Sequence, residues 1–275
     1  MLLVTGANGQ LGTALKMLLG DRAVYAGRAE LDIGNEQAVK AFFAARSFDM
    51  VINCAAYTAV DKAEDDAETA EKVNALGPAV LAHYGRNIIQ ISTDYVFDGR
   101  KGTPYTEEDP VHPLSVYGRT KREGETAVLR EAETAVVLRT AWLYSPVGRN
   151  FLNTMRRLGA GQESVGVVSD QLGSPTSAMQ LANALVSMLP RLKSGQKGIW
   201  HYCCEGTTSW CEFAAGIMEK YALPCKVIPL HTEEYPTRAV RPAYSVLDTN
   251  KIKRDFGLVI PHWREALKLS DKFYS

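Results

Sequence analysis

The chain begins with Met1-Leu-Leu-Val-Thr-Gly-Ala-Asn-Gly-Gln-Leu-Gly12, and residues 13–19 continue with the apolar pattern of a helix. The apolar run at 2–4 predicts a buried strand, and Gly6, Gly9 and Gly12 follow it at three-residue spacing. Glycines allow a tight turn and let the backbone approach a pyrophosphate, which the N–H groups of a helix N-terminus can then bind. An ordinary glycine-rich turn is the plainer interpretation, but the order strand, glycine turn, helix favours a dinucleotide site.

Further short apolar runs alternate with helical patterns over the first half of the sequence. The predicted strands are 23–26, 48–56, 87–93 and 135–140, and an amphipathic helix is predicted from Val73 to Tyr84. This alternation predicts an α/β fold with a Rossmann-like doubly wound parallel sheet. We expect residues 1–145 to form an NAD(P)-binding Rossmann domain.

The second half of the sequence is less regular. Helices are predicted at 151–158, 177–189, 209–221 and 262–274, a strand at 198–202, and loops at 58–64 and 100–114. Ser209 and Glu212 have the spacing of a capping box at the start of one of these helices. We expect residues 146–275 to form a smaller, mixed region that mainly binds substrate. Segments at about 176–200 and 225–247 are expected to return to the first domain.

The end of the second predicted strand bears on the choice of cofactor. A carboxylate usually stands there and accepts a hydrogen bond from the adenosine ribose 2′-OH, but this chain has Gly27-Arg28. Arginine can pair with a 2′-phosphate, and glycine leaves space for that phosphate. The sequence therefore favours NADPH, although Glu30 and Asp32 follow closely enough to leave NADH use open.

Candidate catalytic residues follow the fourth strand. Tyr117 and Lys121 are four residues apart, so on a helix that begins at Ser115 they share one face. A nearby ammonium favours the phenolate and should pull the tyrosine pKa down from about 10, so that the phenol can protonate a carbonyl oxygen. Thr93 ends its strand, and a hydroxyl there can donate to the same oxygen. Tyr-x-x-x-Lys also occurs as an ordinary exposed helical pair, and a strand-end hydroxyl can simply be a cap.

Composition excludes several classes of protein. The chain has 275 residues, 46% of them hydrophobic, and 31 basic residues balance 31 acidic ones. Nothing in this balance indicates a nucleic-acid or acidic-membrane partner. No apolar run approaches the length of a membrane span, and the first strand leaves no room for a signal peptide, so we expect a cytoplasmic protein. The acidic cluster at 61–68 is expected to be a solvated face.

The five cysteines have no spacing typical of a zinc site or a disulfide framework, and we predict no metal. His201 lies near Cys203 and Cys204, which leaves a metal site as an alternative. A core strand with small apolar thiols is the preferred interpretation. Reduced thiols fit the cytosol.

Several of these motifs together resemble a known family. Residues 5–12, Asn53-Cys-Ala-Ala56, Ser92-Thr-Asp-Tyr-Val-Phe97 and Tyr117-Gly-Arg-Thr-Lys121 resemble the extended short-chain dehydrogenase/reductase superfamily. Within it, the resemblance to the dTDP-4-dehydrorhamnose reductase family extends through Trp142, residues 170–176 and Arg241-Pro242. It therefore covers nearly the whole chain, with the motifs in order.

The resemblance implies reduction of the C4 ketone of dTDP-4-dehydro-L-rhamnose by NADPH or NADH. The product would be dTDP-L-rhamnose, in the last step of dTDP-rhamnose biosynthesis. By the same resemblance Tyr117 is the proton donor, Lys121 lowers its pKa and holds the nicotinamide ribose, and Thr93 hydrogen-bonds the reacting oxygen. Relatives often carry an acidic residue where Gly27 stands in this chain. The absence of that acidic residue again favours NADP.

The resemblance also assigns binding residues. Those expected at the cofactor are Gly6, Asn8, Gly9, Gln10, Leu11, Gly12 and Arg28, with Asp32 and Ile33 near the adenine and Ala55 and Ala56 near its middle. Those expected at the nucleotide sugar are Val60, Tyr95 and Trp142 at the sugar ring and Arg241 at the diphosphate.

Two other functions remain open at this point. One is another nucleotide-sugar short-chain reductase or an epimerase. A dehydratase of this superfamily typically has Thr-Asp-Glu, but here Thr93 and Asp94 precede Tyr95, so its elimination acid is missing. The other is a cofactor-binding regulatory subunit without turnover, against which the set of Thr93, Tyr117 and Lys121 argues. Monomer and homodimer are both compatible with the sequence.

Overall fold

The computed structural model describes residues 1–274. The strands are β1 (Leu2–Thr5), β2 (Ala23–Ala26), β3 (Met50–Asn53), β4 (Asn87–Thr93), β5 (Thr134–Thr140), β6 (Leu143–Tyr144), β7 (Ser164–Val168), β8 (Leu172–Gly173), β9 (Thr176–Ser177), β10 (Lys197–His201), β11 (Thr208–Ser209) and β12 (Lys226–Leu230). The helices are α1 (Gln10–Leu19), α2 (Glu36–Ala45), α3 (Val60–Ala63), α4 (Ala67–Glu71), α5 (Gly77–Gly85), α6 (Val116–Glu131), α7 (Phe151–Gly161), α8 (Ala178–Met188), α9 (Trp210–Lys220), α10 (Asn250–Phe256) and α11 (Trp263–Leu269).

Six strands form one parallel sheet in the order β10-β5-β4-β3-β1-β2. The predicted Rossmann-like sheet is therefore confirmed. The chain moves from β1 to β2 on one side and to β3 on the other, so the strand order reverses beside β1. In such sheets the ligand crevice lies outside the carboxyl ends of the strands at this reversal. Thr5 and Asn53 are neighbours in register there, so the glycine turn lies next to the chain leaving β3.

Helices cover both faces of the sheet. Successive apolar side chains of β1 point to opposite faces, so both faces must be buried. Val4 belongs to a core cluster that includes Leu15 of α1 and Leu181 of α8. Leu3 belongs to a second cluster, with Leu81 of α5, on the other face. Because both faces of these short strands are buried, the strands appear in the sequence as unbroken apolar runs, which explains why they could be predicted.

The predicted amphipathic helix at 73–84 is part of a longer helical stretch. Between α4 and α5 the residues Lys72–Leu76 form a π-helical turn. Pro78 follows this turn, and because proline has no N–H it cannot bond to the carbonyl of Asn74 four residues earlier. That carbonyl faces α6 so closely that a Cβ atom on Gly124 would lie 2.1 Å from its oxygen.

The second half of the chain adds both to the sheet and to a separate core. α8 packs against α1, and β10 pairs with β5 at the sheet edge. A third core cluster, which includes Leu152, Phe213 and Trp263, lies among α7, α9 and α11. Ser209 and Glu212 form the predicted capping box at the start of α9. Along the described chain, no helix has the length and apolarity that a membrane crossing requires.

Three expectations need correction. The predicted loop at 58–64 contains α3, a helix too short to show periodicity. Within the segment at 225–247, β12 pairs with β7 rather than with the main sheet, whereas later residues such as Arg238 and Leu247 contact the first half. The final helix is shorter than predicted, because α11 ends at Leu269 and a 3-10 turn follows.

Candidate active site

α6 begins as the sequence predicts. Ser115 caps it, since the N–H of Gly118 donates to its Oγ at 3.2 Å. A Cβ atom on Gly118 would lie 2.2 Å from the carbonyl oxygen of Tyr95, so glycine lets the first turn of α6 pack directly on the chain after β4. This contact brings the rings of Tyr95 and Tyr117 to 5.8 Å between centroids, with one edge towards the other face.

Thr93 reaches Tyr117 from the carboxyl end of β4. Its side chain is buried and lies close enough to the phenol of Tyr117 to lower that phenol's pKa. The Thr93 Oγ1 also accepts from the N–H of Tyr95 at 3.1 Å and lies 3.0 Å from a carboxylate oxygen of Asp94. The two groups expected to contact the reacting oxygen therefore lie side by side.

The protonation states of the pair differ from the prediction. Burial raises the pKa of Tyr117 to about 12, partly opposed by the neighbouring hydroxyl of Thr93. Burial also lowers the pKa of Lys121 to about 8. The Lys121 ammonium donates to the carbonyl of Ile91 at 2.6 Å. The expected lowering of the phenol pKa by Lys121 is therefore not seen in the protein alone, where burial is the largest influence on Tyr117 and Lys121 is not among the groups that shift it.

A buried ion pair lies one helical turn beyond Lys121. Both oxygens of Glu125 accept from the guanidinium of Arg139, at 2.8 Å each, and Ser92 donates to the same carboxylate at 2.6 Å. The charge of Glu125 raises the pKa of Lys121 and so opposes the effect of burial. This pair was not predicted from the sequence, where its one signal is an arginine within the otherwise apolar β5.

His201 is a core residue, as the preferred interpretation held. Its Nδ1 lies 3.1 Å from the carbonyl of Tyr105 and its Nε2 lies 3.4 Å from the guanidinium of Arg139. Burial lowers its pKa to about 3, so the ring is neutral. The neighbouring thiols of Cys203 and Cys204 are free and buried. Within residues 1–274, no group of three or more His, Cys, Asp or Glu has the arrangement of a metal site.

A cavity of about 270 Å³ lies at the strand reversal. A Cβ atom on Gly6 would lie 2.5 Å from the N of Ala55, and one on Gly12 would lie 2.5 Å from the O of Gly6. The turn is therefore packed too tightly for side chains. The N-cap of α1 is Gly9, which has no side chain to occupy the first N–H groups of the helix. Such a cradle fits the pyrophosphate of a dinucleotide.

Most of the predicted cofactor residues line this cavity, namely Gly6, Asn8, Gly9, Arg28, Asp32, Ile33, Ala55 and Ala56. The side chains of two others point elsewhere. Gln10 accepts hydrogen bonds from Ser145 at 3.0 Å and Asn150 at 2.8 Å, and Leu11 belongs to the core. These two residues, with Gly12, can offer only backbone N–H groups to a ligand.

The adenosine end of the cavity carries charges of both signs. Arg28 is exposed, and its Nε lies 3.6 Å from a carboxylate oxygen of Asp32. Glu30 turns back, and its carboxylate accepts from the N–H of Gly27 at 2.8 Å. A Cβ atom on Gly27 would lie 2.9 Å from that carboxylate. Arg28 is therefore free to reach a phosphate, with two carboxylates close by.

The expected sugar-site residues come from separate segments of the chain. Val60 is the first residue of α3, and Trp142 stacks on Trp210 with centroids 3.5 Å apart. Arg241 forms two hydrogen bonds with Asp61, at 3.0 and 2.6 Å. Asp61 is thus not part of a purely solvated acidic face, because it holds the guanidinium that was expected at a diphosphate.

Further residues around the site were not predicted from the sequence. Tyr57, Thr69 and Val73 also line the cavity. Asn74, in the π-helical turn, accepts from the N–H of Tyr57 at 2.8 Å and donates to the carbonyl of Tyr57 at 3.1 Å. It also donates to Thr120 of α6 at 3.2 Å. Asn74 therefore links the cavity wall to the helix that carries Tyr117.

Comparison with known proteins places the chain in a family. Residues 1–273 match the family model described as RmlD substrate binding domain. The dTDP-4-dehydrorhamnose reductase of Aggregatibacter actinomycetemcomitans is 41% identical over 285 residues, which cover 97% of each chain. A crystal structure of a dTDP-4-dehydrorhamnose reductase from Clostridium acetobutylicum is 41% identical, with a TM-score of 0.93 over 99% of each chain. Another from Bacillus anthracis, in complex with NADP, is 34% identical, with a TM-score of 0.93 over 99% of this chain and 98% of that one. The chain therefore belongs to the dTDP-4-dehydrorhamnose reductase family.

Proposed function

We propose that this protein reduces the C4 ketone of dTDP-4-dehydro-L-rhamnose with NADPH, giving dTDP-L-rhamnose. The observation that carries the proposal is the juxtaposition of Thr93 and Tyr117, with Lys121 one turn along α6, beside a cavity that fits a dinucleotide. Membership of the reductase family supports the choice of substrate. The NADP complex of the Bacillus anthracis relative supports the choice of cofactor.

The protein's part in the reaction is to supply and control a proton. When bound, the reduced nicotinamide supplies the hydride that C4 accepts. The C4 oxygen then takes the phenol proton of Tyr117, which is firmly held in the free protein because its pKa is about 12. Lys121, with its pKa of about 8, is charged at neutral pH and stabilises the phenolate that remains. The Thr93 hydroxyl forms a hydrogen bond with the same oxygen.

Binding would divide between the two halves of the chain. Residues 1–145 would hold the cofactor through the glycine cradle and the walls of the cavity. Residues 146–275 would mainly hold the nucleotide sugar, with Arg241 at the diphosphate, and Trp142, Tyr95 and Val60 of the first region would also contact the sugar. We further propose a cytoplasmic monomer or homodimer without a nucleic-acid partner.

The direct test follows NADPH absorbance with dTDP-4-dehydro-L-rhamnose generated in situ. We expect NADPH loss that depends on the ketosugar, and none with dTDP-glucose, which has no ketone. NADPH binding without turnover would instead identify a regulatory subunit. Purified protein that retains tightly bound NAD and does not consume NADPH would identify an epimerase. Either result would overturn the proposal.

A further inference from the structure

Asp94 is a buried acid that the mechanism above does not use. Asp94 follows Thr93 directly and is only 2% exposed to solvent. One carboxylate oxygen, Oδ1, lies 3.0 Å from the Thr93 Oγ1. The other, Oδ2, has no hydrogen-bond partner within the described chain. Leaving a buried carboxylate oxygen unpaired is costly when the group is ionised and much less so when it is neutral.

The side chains that face Asp94 besides Thr93 carry no positive charge. They are the phenols of Tyr95 and Tyr117, the thiol of Cys203 and the hydroxyl of Ser245. The hydroxyls of Ser245 and Thr93 and the backbone N–H groups of Asp94 and Tyr95 lower the pKa of Asp94, but by less than burial raises it. Burial raises the pKa of both phenols and of the thiol, so these groups are neutral through the working range. Burial likewise raises the pKa of Asp94 to about 6, although the Ser245 hydroxyl lies close enough to lower it somewhat.

The proton on Asp94 determines what Thr93 can do. A hydroxyl has one proton to donate. If Asp94 is ionised, Thr93 donates to its Oδ1 and can only accept from other groups. If Asp94 is neutral, its own O–H donates to the Thr93 Oγ1, and the threonine proton is released towards Tyr117 and the reacting oxygen. The N–H of Tyr95 occupies one acceptor position of Oγ1 in both cases.

We propose that Asp94 is a positioning residue that, when neutral, makes Thr93 a hydrogen-bond donor to the substrate carbonyl oxygen. This inference rests on the proposed reductase function. It acts through Thr93 rather than on the substrate itself. Binding of an anionic cofactor and a nucleotide diphosphate would further disfavour the charged carboxylate, so the neutral range is wider in the complex.

The test is the pH profile of ketosugar reduction in wild type and Asp94→Asn. The wild-type kcat/KM should fall about 25-fold between roughly pH 5.5 and roughly pH 7.5, because the neutral fraction of a group with a pKa of about 6 falls by that factor, and the corresponding decline in kcat should lie at higher pH. Lys121 adds a separate decline near its pKa of about 8. An asparagine amide can donate to Thr93 as a neutral acid does, so the variant should stay within about threefold of the wild-type plateau and lack the first decline.

Two results would overturn the inference. One is an Asp94→Asn profile that keeps the decline near pH 6. The other is an Asp94→Asn variant whose kcat/KM below pH 6 is about a hundredfold lower than that of the wild type, while its NADPH affinity and circular dichroism spectrum are unchanged. Because wild-type turnover is measured in the same assay, failure of the proposed function itself would be seen separately, as no turnover at any pH.

A second variant keeps the inference testable if Asp94→Asn does not fold. Ser245→Ala removes the hydroxyl that lowers the pKa of Asp94, so the first decline should move to higher pH while the Lys121 decline stays in place. The control is Ser164→Ala, which alters an exposed side chain on β7. It should leave the declines assigned to Asp94 and Lys121 unchanged. An unshifted first decline in Ser245→Ala would contradict the role of Asp94.

Discussion

The phenol of Tyr117 is the group on which turnover should depend most. Tyr117→Phe removes the proton but keeps the ring that packs edge-on against Tyr95. We expect kcat to fall by about 10²–10⁴-fold, as for the loss of a general acid, with the NADPH Kd unchanged within about twofold. Steady-state kinetics and a fluorescence titration with NADPH measure the two quantities. A variant with wild-type kcat would remove Tyr117 from the mechanism.

Arg28 should set the preference for NADPH over NADH. Its guanidinium is exposed and only loosely paired with Asp32 at 3.6 Å, so it can pair with a 2′-phosphate. Because the contact is exposed and two carboxylates lie nearby, we expect Arg28→Ala to lower the ratio of kcat/KM for NADPH to that for NADH by only about tenfold. Arg130→Ala, an exposed change on α6, is the control. An unchanged ratio in Arg28→Ala would mean that Arg28 does not contact the phosphate.

At the scale of single residues, the sequence indicated which residues form the candidate site but said less about the surroundings of their side chains. Tyr117 and Thr93 could be predicted because helix periodicity and strand ends are local features. The pKa of Tyr117 could not, because it depends on burial by segments far apart in the chain. The same holds for the ion pair of Glu125 and Arg139, since its members lie on different elements.

Among the elements, α6 depends on close contact with the π-helical turn. A Cβ atom on Gly124 would lie 2.1 Å from the carbonyl oxygen of Asn74, which is backbone and cannot rotate away. Gly124→Ala should therefore push α6 outwards, cost about 1–3 kcal/mol of unfolding free energy and lower kcat through the displaced Tyr117 and Lys121. Urea unfolding and steady-state kinetics measure these effects.

The matched control for that change is Gly161→Ala at the end of α7, where nothing lies within 4 Å of the added Cβ. It should be neutral or slightly stabilising, because alanine has the higher helix propensity. Equal stability of the two variants would contradict the close-packing argument for α6.

The elements that could be predicted are those whose pattern is local. β2 and β4 match their predicted ranges because both are buried apolar runs bounded by turns. The π-helical turn could not be predicted, since it depends on Pro78 together with the packing of Asn74 against α6. β12 was missed because it is a half-exposed strand whose partner, β7, lies about sixty residues earlier.

The whole molecule is held together by groups that join its two halves. His201, at the end of β10, is buried between Tyr105 and Arg139. Its folded pKa is about 3, against 6.5 for an ordinary histidine, so the unfolded chain binds more protons between these values. Its contribution to stability is complete above pH 6.5 and is lost as the pH falls towards 3. Asp94 acts in the opposite sense, because its raised pKa contributes stability at low pH that is lost as the pH rises through about 6.

Because His201 and Asp94 act in opposite senses on the pH dependence of stability, the contribution of His201 is tested by global unfolding of a variant at that residue alone. His201→Asn keeps a neutral donor and removes the titration, so its cost in unfolding free energy should be smaller at low pH. At about 1.4 kcal/mol per pH unit for one proton, the cost measured near pH 7.5 should shrink by about 3 kcal/mol near pH 4.5, because two pH units separate 4.5 from the ordinary histidine pKa of 6.5. Urea unfolding at both pH values gives the difference, and His112→Asn, an exposed change, should show no such trend. If the cost of His201→Asn were the same at both pH values, the buried ring would not be the group that weakens the fold in acid.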